Sequence, residues 1–327
     1  MSIHEHPGGA IYSLRQSNLM NYCVVHFRVH DTVLRGFTMT AVFALATSLL
    51  WGLADFGGGL LTRRLHALTV VVVSQTLAAL ALGAIVLATG GWREAGPQLW
   101  FAVAAGVVGP AAMLCFYRAL ALGPMGVVSP LGSLGTVMVP LGVGILAGER
   151  PGLVQVAGMA VAVVGVLLAG GPQLGGASVA RQTIVLTLIS ALGFGAVMSL
   201  IAEASTTLTG LFLALFVQRV CNVAVGGAAL YATVRRGTPA LPEGGFTALR
   251  GSLPALAFIG LADVAANGTY SLAAQHGPVT VAAVLASLYP VVTALAALGI
   301  LKERMRAVQT AGASLALVGT VLLASGG

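Results

Sequence analysis

The sequence predicts an all-α membrane protein, ten transmembrane helices arranged as two inverted five-helix repeats. Three observations predict it. Of 327 residues, 57 % are hydrophobic and only 8 % are charged, where a soluble domain carries roughly 25 % charged residues. Apolar runs long enough to cross the hydrocarbon, about 20 residues each, follow one another from residue 38 onward. The second half of the chain repeats the first. The composition excludes a water-soluble globule, and it excludes a disordered chain, which needs low hydrophobicity. The runs are too long for strands and lack the dyad alternation of an outer-membrane barrel. Helices are then what satisfies the backbone in lipid.

Residues 1–37 form an N-terminal tail, expected to be disordered. The tail holds His4, His6, His26 and His30, with Arg15, Arg28 and Arg35. With no apolar core and no small-residue cleavage site, it does not read as a signal peptide. A histidine metal tail is the sharper alternative, and Met39 is an alternative start. The first repeat, residues 38–170, carries spans near 38–61, 67–89, 99–121, 126–147 and 152–170. They are separated at Thr62-Arg63-Arg64, Gly90 to Glu94, Gly123-Pro124 and Glu149-Arg150-Pro151. Gly170-Gly171-Pro172 closes it. The second repeat, residues 182–325, carries spans near 182–204, 209–233, 252–274, 279–301 and 307–324. These are separated after Glu203, at Arg235-Arg236 through Arg250, at Gly277-Pro278 and at Lys302-Glu303-Arg304.

The repeat is visible residue by residue. A shift of 154 positions places Gly123-Pro124 on Gly277-Pro278, Ser133-Leu134 on Ser287-Leu288 and Glu149-Arg150 on Glu303-Arg304. The same shift places Gln155, Gly158 and Gly165 on Gln309, Gly312 and Gly319. Earlier in each half, Trp51-Gly52 meets Phe194-Gly195 at a shift of 143, so one half carries an insertion between its second and third helices. Five helices is an odd number, so the second half enters the membrane upside down. Inverted repeats of this kind allow alternating access around a midplane site in secondary transporters.

Residues 286–323, from Ala286-Ser287-Leu288-Tyr289-Pro290-Val291-Val292-Thr293 through Lys302-Glu303-Arg304 to Gly319, resemble the closing segment of an EamA-type repeat of the drug/metabolite transporter superfamily. Residues 117–168, from Tyr117-Arg118-Ala119-Leu120 through Glu149-Arg150, resemble the same segment of the first repeat, and Trp51-Gly52 looks like the family's first-helix motif. The resemblance spans about residues 40–325. It implies ten helices, a central cavity between the repeats, and movement of small metabolites without ATP. One departure is that Gln75-Thr76 stands where the seventh span has Gln218-Arg219; many repeats of the family carry an Arg there.

Polar residues inside the spans are the candidates for a substrate site, because each is expensive in lipid. Asp263 lies mid-span with Asn267 and Tyr270 on the same face, four and seven residues on. It either locks helices through a neighbour such as Arg219 or meets substrate or a proton. Arg219 keeps its charge at any useful pH. It needs a partner, Asp263 or an anionic group of a substrate. Asp55 shares a face with Ser48 and Trp51; it is either a cavity acid or an interfacial acid near Arg63 and Arg64. In the fourth span Ser129, Ser133, Thr136 and Pro140 share a face. Their repeat mates are Ala283, Ser287, Pro290 and Ala294, with Tyr289 beside them. A proline-bent, hydroxyl-bearing face suits a cavity wall. Gly158, Ala162 and Gly165 recur as Gly312, Ala316 and Gly319, a small-residue stripe for close helix contact.

The only lysine, Lys302, follows no glycine loop, so no Walker A site exists. Gly142-Val143-Gly144 opens a weak dinucleotide pattern, but inside an apolar span with no preceding strand. No metal, nucleophile or protease motif is present, so the chain is expected not to be an enzyme and to need no cofactor. Cys23, Cys115 and Cys221 lack metal-site spacing and read as packing residues. The expected partners are a small amphipathic or zwitterionic substrate and the lipid bilayer of the cell membrane. Nucleic acid is not expected, and a homodimer is left open. Basic residues after the first, seventh and ninth spans would put that side in the cytoplasm, whereas the family resemblance puts both termini there.

Overall fold

The computed structural model describes residues 38–146, 152–170, 180–205, 207–237, 239–241, 245–276, 279–302 and 306–325. The expected tail, Glu149-Arg150, Gly277-Pro278, Glu303-Arg304 and the side chains of Pro140 and Gln155 lie outside the described residues.

Among the described residues the chain is helical, with no strand. The helices are α1 (Thr38–Thr62), α2 (Ala67–Thr89), α3 (Leu99–Leu122), α4 (Met125–Ser133), α5 (Gly135–Leu146) and α6 (Leu153–Gly170). In the second half they are α7 (Arg181–Ala204), α8 (Leu208–Arg235), α9 (Gly245–His276), α10 (Val279–Ala286), α11 (Tyr289–Ala296) and α12 (Ala307–Ser325). A short 3-10 turn, Gly91–Glu94, follows α2, and a π turn, Ala297–Leu301, extends α11. Six helices, α1, α2, α3, α7, α8 and α9, are long and apolar enough to cross a membrane, and shorter apolar helices accompany them. α9 begins at Gly245, several residues earlier than the sequence suggests. The termini follow local chemistry. Gly90 turns left-handed and its N–H closes the last turn of α2 on Val86 O. Thr207 caps α8, accepting from the Gly210 N–H at 3.0 Å.

The fourth and ninth spans are the main departure from the sequence reading: each carries a local break in its regular hydrogen bonding, the first at Leu134 and the second at Ser287-Leu288, while Leu134 and Leu288 keep right-handed helical dihedrals. The breaks fall on positions that the 154-residue shift superposes. Proline is near both, Pro130 inside α4 and Pro290 at the start of α11, and a proline removes a backbone donor. Hydroxyls beside the first break bond back to the preceding turn. Ser133 Oγ donates to Pro130 O at 2.8 Å, and Thr136 Oγ1 donates to Ser133 O at 2.7 Å.

The surface is apolar and the interior is partly polar. Leu80, Leu87, Trp100, Leu146, Leu192 and Ile300 are exposed, while Thr47, Ser74, Gln75, Ser190, Asn222 and Thr293 are buried. Water would not tolerate that outer surface; lipid requires it.

The packing between halves is reciprocal. α6 lies along α12. A Cβ on Gly319 would stand 2.6 Å from Ala162 N, and one on Gly165 would fall on the Ala316 backbone. Ala316 and Gly319 are the repeat mates of Ala162 and Gly165, so the two contacts exchange under the repeat. A two-fold relation between like surfaces produces this pattern. The small-residue stripe thus does what its spacing suggests, letting two backbones touch. A second exchange links the breaks to the first helix of each half. Gly52 backs onto Tyr289 O, 2.6 Å from its would-be Cβ, and Gly195 backs onto Gly135 O. Tyr289 is the mate of Gly135, and Gly52 of Gly195. α1 meets α9 through Thr47 and Thr269, whose hydroxyls are 2.8 Å apart, and α3 meets α7 in the matching place.

Candidate functional site

Between these helices lies a cavity of about 620 Å³. At one end its lining reaches Ser205, Thr207 and Leu208, where α7 gives way to α8. At the other end it stops at Phe116, Tyr117 and Ile259. Phe116 and Tyr117 belong to a packed cluster with Phe56, Leu120, Met125 and Leu256 that fills the bundle beyond them. Glycines let the helices close on these rings: a Cβ on Gly132 would meet Phe116 at 2.7 Å, and one on Gly58 would strike Tyr117.

Both halves of the chain build the cavity wall. From the first half come Trp51 and Asp55 on α1, Gln75 on α2, Tyr117 on α3 and Thr136 just after the break. From the second come Gln218, Arg219 and Asn222 on α8, Asp263, Asn267 and Tyr270 on α9, and Ser287 and Tyr289 at the other break. Seven of the eight site residues expected from the sequence therefore meet in one place: Trp51, Asp55, Arg219, Asp263, Asn267, Tyr270 and Tyr289. Ser133 is the exception. It is fully buried behind the wall, its hydroxyl held by Pro130 O and by a side-chain hydrogen bond with Tyr289. Thr136, three residues on, lines the cavity in its place.

Arg219 Nη2 donates to Asp263 Oδ2, a salt bridge across α8 and α9. The Arg219 side chain is 9 % exposed and that of Asp263 is 23 %. Each would be costly alone in lipid. Asn267 caps the arrangement, donating from Nδ2 to Asp263 O at 2.7 Å. One turn along α8, Asn222 Nδ2 donates to Gln75 Oε1 at 3.0 Å. Three buried polar atoms of α8 lack a hydrogen-bond partner: Gln218 Oε1, Arg219 Nε and Asn222 Oδ1.

Asp55 is placed differently. Arg63 and Arg64, the cations nearest in sequence, sit exposed two turns further along, at and beyond the end of α1. Asp55 instead faces the cavity, within electrostatic range of Asp263, Tyr117 and Tyr289. One turn before it, Trp51 stands between two tyrosine rings, with centroids 6.1 Å from Tyr270 and 6.0 Å from Tyr289. Geometries of this kind are favourable aromatic contacts.

Gln75, Gln218 and Tyr117 also line the cavity, and the sequence reading did not select them. The signal was there for the glutamines: both are amides inside apolar spans, at positions that the 143-residue shift superposes. Tyr117 near a helix end gave no such signal.

The family model described as the EamA-like transporter family matches residues 38–171 and 181–325. Fifteen solved chains are similar in fold. One of them, titled "Crystal structure of protein", aligns with a TM-score of 0.52 at 17 % identity, over 87 % of this chain and 96 % of that one. No curated protein matches the chain.

Proposed function

The chain belongs to the EamA-like transporter family of the drug/metabolite transporter superfamily, and from that premise we propose that it is a secondary transporter, an exporter or facilitator that carries a small metabolite through this cavity without ATP. In this reading α4 with α5, and α10 with α11, each make one interrupted span. Together with α6 and α12 they bring the crossings to ten, in two halves of opposite orientation.

The observation that carries the proposal is the cavity itself. It is built from both repeats, it gathers Asp55, Arg219 and Asp263, and both locally broken helices border it. The cavity reaches one end of the bundle and meets packed rings toward the other, in keeping with the rule that an alternating carrier is never open to both sides at once. The reciprocal contacts of Gly165 and Gly319 supply an axis about which the halves can rock.

The Arg219–Asp263 pair binds α8 to α9 on the cavity wall, so any motion that separates these helices must break it or carry both together. Liposomes containing only the purified protein test the proposal. They are loaded with a defined mixture of amino acids, nucleobases and organic amines, and efflux is read by mass spectrometry. Release of a subset faster than from protein-free liposomes, without nucleotide, is expected. Release no faster than the control from correctly folded protein would refute it.

A further inference from the structure

The charges on the cavity wall do not balance. Among its lining residues two carboxylates, Asp55 and Asp263, face one guanidinium, Arg219. The single guanidinium is already taken by Asp263. Asp55 has no ion-pair or hydrogen-bond partner among the described residues, and the wall contains no lysine or histidine to serve it. A carboxyl at this depth needs either a proton or a counter-charge, and a cationic ligand supplies the second.

What surrounds Asp55 says which counter-charge fits. Trp51, one turn away on the same helix, is flanked by Tyr270 and Tyr289, and all three rings line the cavity with it. The faces of Trp and Tyr attract cations, most strongly where water is scarce, and such rings along a cavity wall suit an alkylated ammonium better than a hydrated metal ion. An anionic ligand finds the opposite: Asp263 already offsets the charge of the one guanidinium, and Asp55 repels it.

We propose that Asp55 and the rings of Trp51, Tyr270 and Tyr289 form the recognition site for the cationic head of an organic ammonium substrate, whose apolar remainder lies along Met113, Phe194 and Ile259. This rests on the cavity being the transport site and adds the class of solute it selects.

Binding, rather than flux, tests it. Trp92 and Trp100 are exposed, so replacing both with Phe leaves Trp51 as the only tryptophan and a reporter inside the site. Benzyltrimethylammonium is titrated against this protein in detergent, beside its uncharged carbon isostere neopentylbenzene and the anion benzenesulfonate. The cation should change Trp51 emission and bind at least tenfold tighter than either competitor, and Asp55→Asn should weaken it at least tenfold. Equal binding of cation and isostere would overturn the proposal, whether Asp55 holds a proton or merely borders an apolar cavity. Tighter binding of the anion would overturn it as well, in favour of Arg219 as the anchor. The comparison of the three probes on the unsubstituted Asp55 needs no variant there, so misfolding of Asp55→Asn leaves the test intact. Cation-selective binding without flux would sink the transport reading alone; flux of neutral or anionic solutes without cation selectivity would sink this one alone.

Discussion

Replacing Asp263 alone, Arg219 alone and both together separates the two roles open to this pair. Breaking a buried ion pair by removing one partner costs about 3–5 kcal/mol, because a charge is left without compensation. Asp263 is 23 % exposed to the cavity, so water can partly replace it, and Asp263→Asn should fall at the low end, about 3 kcal/mol. Arg219→Gln should cost less, about 2 kcal/mol, because a lone carboxyl can be neutralised by a proton whereas a guanidinium holds its charge. In the double variant both charges are gone and the two amides can hydrogen-bond, so the total should stay near 2 kcal/mol rather than the 5 kcal/mol of independent sites. The assay is equilibrium unfolding in mixed micelles, with the double-mutant cycle computed from the four free energies. A coupling near 3 kcal/mol is expected. Losses that add to within about 0.5 kcal/mol would refute the claim that each residue is held in the membrane by the other.

Other outcomes follow from the packing and the loops. Gly165→Val and Gly319→Val should destabilise by similar amounts, at least 2 kcal/mol each by overpacking, while Gly227→Val, with open space at its Cβ, should be near neutral; thermal unfolding in detergent compares the three. Thr293→Val removes the bond from Oγ1 to Gly52 O at 3.0 Å and should cost about 1 kcal/mol in the same assay. His66, before α2, is held below its ordinary pKa by burial and then by Arg118. The folded state therefore binds fewer protons there than the unfolded state, and stability should fall as pH drops below about 6.5, the unfolded value. His66→Gln should flatten that part of the pH–stability curve. A chain starting at Met39 should transport as the full chain does, and a reporter fused to either terminus should assign both to one side of the membrane.

Much of this was legible in the sequence because lipid makes polar residues conspicuous. Asp263, Arg219, Asn267 and Asp55 stand out from apolar runs, and the cost of burying each alone argues for a meeting place. The repeat supplied the rest, since Gly165 and Gly319 could be matched by number before either was seen to touch its partner's mate. The breaks at Leu134 and Ser287-Leu288 were not legible. Prolines suggested bends in those spans, and the irregularities fall near them, but their exact position depends on packing in three dimensions. Ser133 lies behind the cavity wall, where its shared face with Thr136 does not place it. Tyr117 was missed because an aromatic near a helix end is ordinary; only the approach of α1 through Gly58 turns its ring toward the cavity.

Counterflow tests the central claim, that solute passes through this cavity by alternating access. Liposomes holding only the purified protein are loaded with a high concentration of an unlabelled solute released in the efflux experiment, diluted, and given a trace of the labelled form outside. A carrier that alternates must exchange one for the other, so labelled solute should rise transiently above its final level without ATP or an ion gradient, and a single substitution at Asp55 should diminish the overshoot. Monotonic equilibration without an overshoot, or uptake no greater than in protein-free liposomes, would contradict the account.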